Sequence, residues 1–189
     1  MSTLFIDNLL QHQELFSQLS QLDEAVTKAS RLITKSLSDG GKLLICGNGG
    51  SAADSQHIAA EFTGRFIKDR KPIAAISLTT DTSALTCISN DYSFNEIFSR
   101  QVMAIGRPGD ILLVITTSGN STNALAAIDA AKNIGIQSIG LLGRDGGKAL
   151  RVCDHSIIVP SEVTARIQEA HILIGHTICG MVEKELGLV

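Results

Sequence analysis

Apolar residues recur at intervals of three and four from Thr3 to Ser38, a spacing that predicts two helices with a break near residues 20–23. Short, almost continuous apolar runs then alternate with segments of helical periodicity, and each run is typical of a buried strand. The strands are predicted at 42–46, 72–78, 110–116, 137–142 and 156–159, and the later helices at 51–66, 83–89, 93–105, 121–134 and 163–186.

This alternation predicts an α/β fold, in which a parallel sheet is covered by helices on both faces. A chain of 189 residues fits one domain, with N-terminal helices at 1–38 and an α/β core at 39–189. The first forty residues carry more apolar positions than one monomer needs. We therefore expect the N-terminal helices to form subunit contacts.

The amino-acid composition limits the kinds of molecule that the protein is expected to bind. The formal charge of −3, the single Tyr and the absence of Trp argue against a nucleic-acid partner, which needs basic and stacking side chains. The four cysteines form no CxxC pair and predict reduced thiols. No signal peptide and no apolar run of about 18 residues is found, so we expect no membrane partner and a cytoplasmic location.

Two loops are rich in glycine and small hydroxyl residues. Gly47–Ser51 follows the first predicted strand, and Thr116–Thr122 follows the third, each just before a helix. Backbone N–H groups at helix N-termini, with Ser and Thr hydroxyls, hold an anion without Lys or Arg. One such loop is readily explained by ordinary turns and helix caps, with Ser51 and Ser121 as N-caps and Asp54 completing a capping box. Two such loops favour a phosphate monoester site.

The first loop also matches other phosphate motifs, but less well. Gly47-x-Gly49-x-x-Ala52 satisfies the dinucleotide fingerprint, with Asp81 as the ribose-binding acid. That fingerprint does not require the second loop, and its acid is expected about 20 residues on, closer than Asp81. No GK[ST] follows the glycines, which excludes a P-loop.

A pair of chemically active side chains lies on the helix after the first loop. His57 and Glu61 are four residues apart and share a helix face, a spacing that is more often a surface contact than a site. Their place after an anion loop favours a site. The last helix adds Gln168, His171 and His176 in an apolar context, where polar groups need partners. Helical spacing alone does not decide which of these histidines faces the site.

Together these segments resemble the bacterial phosphoheptose isomerases, which convert sedoheptulose 7-phosphate and belong to the sugar isomerase (SIS) domain superfamily. The resemblance spans nearly the whole chain and rests on Gly47-Asn-Gly-Gly-Ser-Ala-Ala-Asp, His57-x-x-x-Glu61, Ser89-Asn-Asp91, Thr117-Ser-Gly-Asn-Ser121 and Arg166-Ile-Gln-Glu-x-His. It implies a three-layer α/β/α sandwich with a parallel sheet, a homotetramer with active sites at subunit interfaces, and one zinc ion per subunit.

The resemblance also implies roles for individual residues. The metal ligands would be His57, Glu61, Gln168 and His176, with His171 as a supporting residue. The groups around the sugar phosphate would be Asn48, Gly49, Gly50, Ser51, Thr116, Thr117, Ser118 and Ser121, with Asn90 and Asp91 on the sugar hydroxyls and Glu61 and Gln168 also touching substrate.

Ketose–aldose isomerisation moves a proton from C1 to C2 through an enediol-like intermediate, and a carboxylate with an imidazole suits that exchange. We expect Glu61 to be the general base and His176 its acid/base partner, acting on sedoheptulose 7-phosphate to give D-glycero-D-manno-heptose 7-phosphate. The alternative is an inactive scaffold like the tetrameric replication initiator-associating protein, which shares the fold but lacks the catalytic Glu and the final His. A sugar-phosphate sensor is a third possibility, although such regulators normally carry a DNA-binding domain.

Overall fold

The computed structural model describes residues 2–189. Seven helices and five strands alternate as the sequence predicts, in the order α1 Leu4–Gln18, α2 Asp23–Ser38, β1 Leu43–Gly47, α3 Gly50–Thr63, β2 Ala75–Ser77, α4 Thr82–Asp91, α5 Ser99–Ile105, β3 Ile111–Thr116, α6 Thr122–Asn133, β4 Gln137–Gly143, β5 His155–Val159 and α7 Thr164–Glu185. Within the described residues, no helix is long and apolar enough to cross a membrane.

The five strands form one parallel sheet in the order β2-β1-β3-β4-β5. The chain moves from β1 to one side for β2 and to the other side for β3, so the strand order reverses between β1 and β3. Ligands of open α/β sheets bind at such a reversal, outside the carboxyl ends of the strands. The sheet order therefore points to the loops after β1 and β3.

Side chains of alternate strand residues enter two separate cores, one on each face of the sheet. Leu43 and Ile45 join the core under α2, α3 and α7, whereas Leu44 and Cys46 join the core under α5 and α6. The predicted α/β/α sandwich is confirmed. The strands are apolar at nearly every position because both of their faces are covered.

The N-terminal helices lie on the α7 side. A short 3₁₀ turn at Leu19–Leu22 separates α1 from α2, at the predicted break. α1 is tied to α7 by Arg166, whose Nη1 donates to the Asn8 carbonyl at 2.7 Å, and by His12, whose Nδ1 lies 2.9 Å from Glu169 Oε2. α1 also exposes large apolar side chains, namely Leu4, Phe5, Ile6, Leu9 and Leu10.

Several predicted boundaries were wrong. The strand expected at 72–78 spans only Ala75–Ser77, and the helix expected at 93–105 is divided into a 3₁₀ turn at Phe94–Glu96 and α5. The helix expected to reach residue 66 ends at Thr63, because Gly64 leaves helical geometry with a ψ of −103°. Asp81 caps α4 by accepting from the Ala84 N–H at 2.9 Å, which gives it a structural role in place of ribose binding.

Candidate functional site

The two Gly/Ser loops lie side by side at the carboxyl edge of the sheet. β1 and β3 are neighbours, and their register pairs Gly47 with Ile115, so both strands end at the same level. Asn48 and Asn123 then join the loops through two reciprocal amide hydrogen bonds of 2.8 and 2.9 Å. Because Asn123 is buried, this amide pair fixes the first loop against the start of α6.

The first loop turns into α3 through Gly49, which has a φ of +58°. Residues that carry a side chain rarely adopt a positive φ of this kind, so glycine suits this position. Gly49 is the N-cap, and the prediction of Ser51 as N-cap with Asp54 in a capping box is wrong because the N-cap lies two residues earlier and the helix begins at Gly50. The Gln168 amide packs against Gly50, where a side chain would collide with it.

The second loop presents hydroxyl groups toward the same edge. Thr116 Oγ1 lies 3.4 Å from Ser121 Oγ, and Ser121 is the N-cap residue of α6 without a side-chain capping bond. Ser118 Oγ accepts from the Asn120 N–H at 3.2 Å, while Thr117 is partly exposed beside it. These hydroxyls can therefore contribute to an anion site with the N-termini of α3 and α6.

Three side chains with metal-binding atoms converge between α3 and α7. His57 Nε2 lies 2.8 Å from His176 Nε2 and 3.2 Å from Glu61 Oε1, and the three ligand atoms lie within 4.8 Å of one another. The Glu61 side chain is 21% exposed, so it is shielded but still open to a ligand. More than a hundred residues separate His176 from the other two, and the fold brings them together.

The close approach of α7 to α3 depends on Gly175. Gly175 faces Ile58, and a Cβ on Gly175 would come within 2.6 Å of the Ile58 Cδ1 atom. His176 is the next residue of α7 and so faces the edge of α3 that carries His57. The Phe66 ring stacks on the other side of the His176 ring, with 5.4 Å between centroids.

The donor set fits a zinc ion. Zinc is held in proteins by imidazole nitrogens and carboxylate oxygens, and catalytic zinc sites keep a position open for substrate. Two imidazole Nε2 atoms and one carboxylate oxygen meet here on a partly exposed surface. The fourth predicted ligand, Gln168, stands eight residues before His176 on α7, about 12 Å along the helix axis.

The remaining predicted residues lie nearby in different settings. His171 is fully buried, and its Nε2 donates to the Leu142 carbonyl at 3.0 Å, so it joins α7 to the end of β4. Burial lowers the pKa of His171 to about 4. Asn90 and Asp91 are exposed at the end of α4, where the Asn90 amide donates to the Asp91 carboxylate at 2.8 Å.

Sequence reasoning missed three residues that shape the site: Asn123, Gly175 and Phe66. Asn123 directly follows the second loop, so its polarity in an apolar helix was the available signal. Gly175 interrupts a strongly apolar helix, and a glycine there indicates close packing. No sequence pattern indicated a role for Phe66, because its contact with His176 depends on how an irregular segment folds back.

Comparison with known proteins agrees with this geometry. The family model described as the SIS domain matches residues 9–143, which covers most of the chain and identifies the class of domain. Among curated proteins, the phosphoheptose isomerase of Aliarcobacter butzleri is 50% identical over 98% of this chain and 99% of its own length. That of Rhodospirillum rubrum is 53% identical over 92% of each chain.

Solved structures give the same result. A phosphoheptose isomerase from Neisseria gonorrhoeae is 46% identical with a TM-score of 0.85, and one from Francisella tularensis is 37% identical with a TM-score of 0.89, each comparison covering 95% of both chains. The chain therefore belongs to the phosphoheptose isomerase family of SIS domain proteins. These relatives do not favour the alternative of a replication-initiator scaffold.

Proposed function

We propose that this protein converts sedoheptulose 7-phosphate to D-glycero-D-manno-heptose 7-phosphate, the activity that the names of its relatives imply. The observation that carries the proposal is the convergence of His57 and Glu61 of α3 with His176 of α7, on the helix that starts at the first Gly/Ser loop. Gly50 and His57 are seven residues apart on α3, about 10 Å along its axis. An extended seven-carbon sugar phosphate can bridge that distance.

In this proposal the phosphate binds at the two joined loops. Ser118 and Ser121 donate hydroxyl hydrogen bonds, Thr116 and Thr117 line the same turn, and the N-termini of α3 and α6 contribute their positive ends. Loop residues 48–51 line the other side of the bound phosphate. The proposal keeps Asn90 and Asp91 as contacts of the sugar hydroxyls, and keeps Gln168 as a group that reaches both substrate and metal.

Glu61 takes the proton from C1 of the ketose, and His176 acts as its acid/base partner at the C2 side. A carboxylate has two oxygen atoms, so Glu61 can hold a metal through one and accept a proton through the other. His57 Nε2 lies 2.8 Å from His176 Nε2 and 3.2 Å from Glu61 Oε1, so both proposed acid/base groups face the same point. Such acid/base groups typically contribute about 10²–10⁴-fold to the rate.

We also propose one zinc ion per subunit, held by His57, Glu61 and His176, with Gln168 as the fourth ligand. When bound, zinc would supply Lewis-acid polarisation of the substrate oxygens. The assembly proposed is a homotetramer. All four cysteines are free, which supports a reducing compartment and hence a cytoplasmic location.

The test is incubation of the purified protein with sedoheptulose 7-phosphate, with product formation followed by ¹³C NMR. We expect the ketose C2 signal to decline as that of an aldoheptose phosphate rises. Chelator should slow the reaction and added zinc should restore it. A protein that never forms the aldose under any metal condition would refute the proposed activity.

A further inference from the structure

A buried ion pair lies directly behind the His57–Glu61–His176 cluster. Arg70 belongs to the irregular segment 64–72 between α3 and β2, and Glu183 belongs to α7. Arg70 Nε lies 2.6 Å from Glu183 Oε1, and the two side chains are only 1% and 2% exposed. We call this pair the Arg70 clamp.

The guanidinium of the clamp binds the end of α3. Arg70 Nη2 donates to the Glu61 carbonyl at 2.6 Å, and Nη1 donates to the carbonyls of Phe62 at 2.7 Å and Gly64 at 3.0 Å. The last carbonyls of a helix lack partners within it, and a positive charge is favourable there. The clamp therefore fixes the backbone that carries the Glu61 carboxylate.

The Glu183 carboxylate of the clamp also binds the segment that carries Phe66. Glu183 Oε1 also accepts from the Phe66 N–H at 3.2 Å, and the Phe66 ring stacks on the His176 ring with an interplanar angle of 27°. One buried ion pair thus fixes both the backbone of Glu61 and the ring that packs on His176.

An ion pair of this kind is not needed for stability alone. Removing water from two charges is costly, and apolar side chains of similar volume are often as stable in the same place. What apolar side chains cannot do is hold the carbonyl of Glu61 and the N–H of Phe66 at fixed positions.

We propose that Arg70 and Glu183 are positioning residues for the proton transfer. They set the relative placement of Glu61 and His176 without touching substrate. This inference rests on the proposed isomerase activity. It goes beyond that activity by assigning a role in catalysis to Arg70 and Glu183, which lie outside the cluster, and to the Phe66 ring that stacks on His176.

The first test is the double variant R70M/E183L, which replaces the ion pair by apolar side chains. We expect a folded protein whose kcat falls about tenfold or more, because a misplacement of about 1 Å can cost 10²-fold in rate. The KM should stay within about twofold, because the phosphate loops are untouched. A folded double variant with wild-type kcat would overturn the proposal.

The second variant, F66L, keeps the ion pair and removes only the aromatic ring. We expect the same loss of kcat at unchanged KM, so this variant decides the matter if R70M/E183L does not fold. Wild-type kcat in F66L would show that the ring does not position His176 and would overturn the proposal.

The matched control is K42M. Lys42 and Asp110 form another shielded ion pair, with 2.6 Å between Nζ and Oδ2. The pair lies where β1 and β3 begin, at the end of the sheet opposite the candidate site. Breaking it should lower the melting temperature and leave kcat unchanged. If K42M loses kcat as the clamp variants do, the losses reflect general destabilisation and the positioning role is wrong.

A readout independent of turnover separates this inference from the proposed function. The ring proton signals of His176 in ¹H NMR report the stacked Phe66 ring. In R70M/E183L they should shift in the same direction as in F66L, even if the wild type isomerises no sugar. Unshifted signals in a folded double variant would mean that the clamp does not hold Phe66 in place.

Discussion

Glu61 and His176 are the two side chains proposed to act on the reacting carbons. Glu61→Gln keeps the shape and an oxygen ligand but removes the base, so kcat should fall at least about a hundredfold. His176→Asn should abolish most activity as well. Steady-state kinetics with circular dichroism as a folding control measure both. Wild-type turnover in either folded variant would contradict its assigned role.

If the two Gly/Ser loops bind the phosphate, substitutions in them should change KM. Ser118→Ala and Ser121→Ala each remove a hydrogen bond to a charged group, worth about 1.5–3 kcal/mol, so KM should rise roughly tenfold or more. Ser161→Ala is a matched control, because Ser161 stands in another loop, after β5, and its hydroxyl accepts from the Val163 N–H. An unchanged KM in both loop variants would reject the phosphate assignment.

His171 predicts a dependence of stability on pH. Burial lowers its pKa to about 4 from an ordinary value of 6.5, so the folded protein resists protonation that the unfolded chain accepts. The stability from neutral His171 is complete above about pH 6.5 and is lost as the pH falls toward 4. In His171→Gln, whose side chain does not titrate, the melting temperature should fall less between pH 7 and pH 4.5. A parallel fall in both proteins would contradict this.

Among the helices and strands, the sequence predicted the order of the elements and the edge of the sheet where the candidate site lies. Apolar periodicity decides this, because strands buried on both faces and amphipathic helices have different patterns. The ends of elements were less predictable. Ser51 is an ordinary capping residue by type, but the positive φ of Gly49 starts α3 earlier.

The contacts of the candidate site that depend on tertiary packing could not be predicted from helical spacing. That spacing left His171 and His176 open, the family resemblance selected His176, and in the structure α7 packs on α3 at Gly175 and Ile58, beside His176. The reciprocal pair of Asn48 and Asn123 joins residues 75 positions apart, which no local pattern encodes.

The packing of α7 on α3 predicts that a larger residue at Gly175 disturbs the candidate site. Gly175→Ala inserts a methyl group into the contact with Ile58, and overpacking of this kind costs about 1–3 kcal/mol. We expect a lower melting temperature and reduced kcat, because His176 moves with the helix. Wild-type kcat in a folded Gly175→Ala variant would refute this account.

For the whole protein, the exposed apolar side chains of α1 predict assembly. Phe5 is 73% exposed and Leu10 is 56% exposed, beside three further large apolar residues on the same helix. Several large apolar side chains exposed on one short helix favour an interface. Replacing Phe5 and Leu10 by Ser should shift the protein from tetramer to smaller species in analytical ultracentrifugation. A fully active wild-type monomer would overturn the proposed tetramer.

The central claim is that the cluster of α3 and α7 moves a proton between C1 and C2 of a ketose phosphate. The most direct measurement is turnover of sedoheptulose 7-phosphate in D₂O, with the product examined by NMR. Because Glu61 is partly exposed, the proton that it carries exchanges with solvent, and we predict deuterium at C2 of the aldose product. Absence of product would contradict the account, whereas a C2 hydrogen that comes entirely from substrate C1 would contradict exchange of the Glu61 proton with solvent.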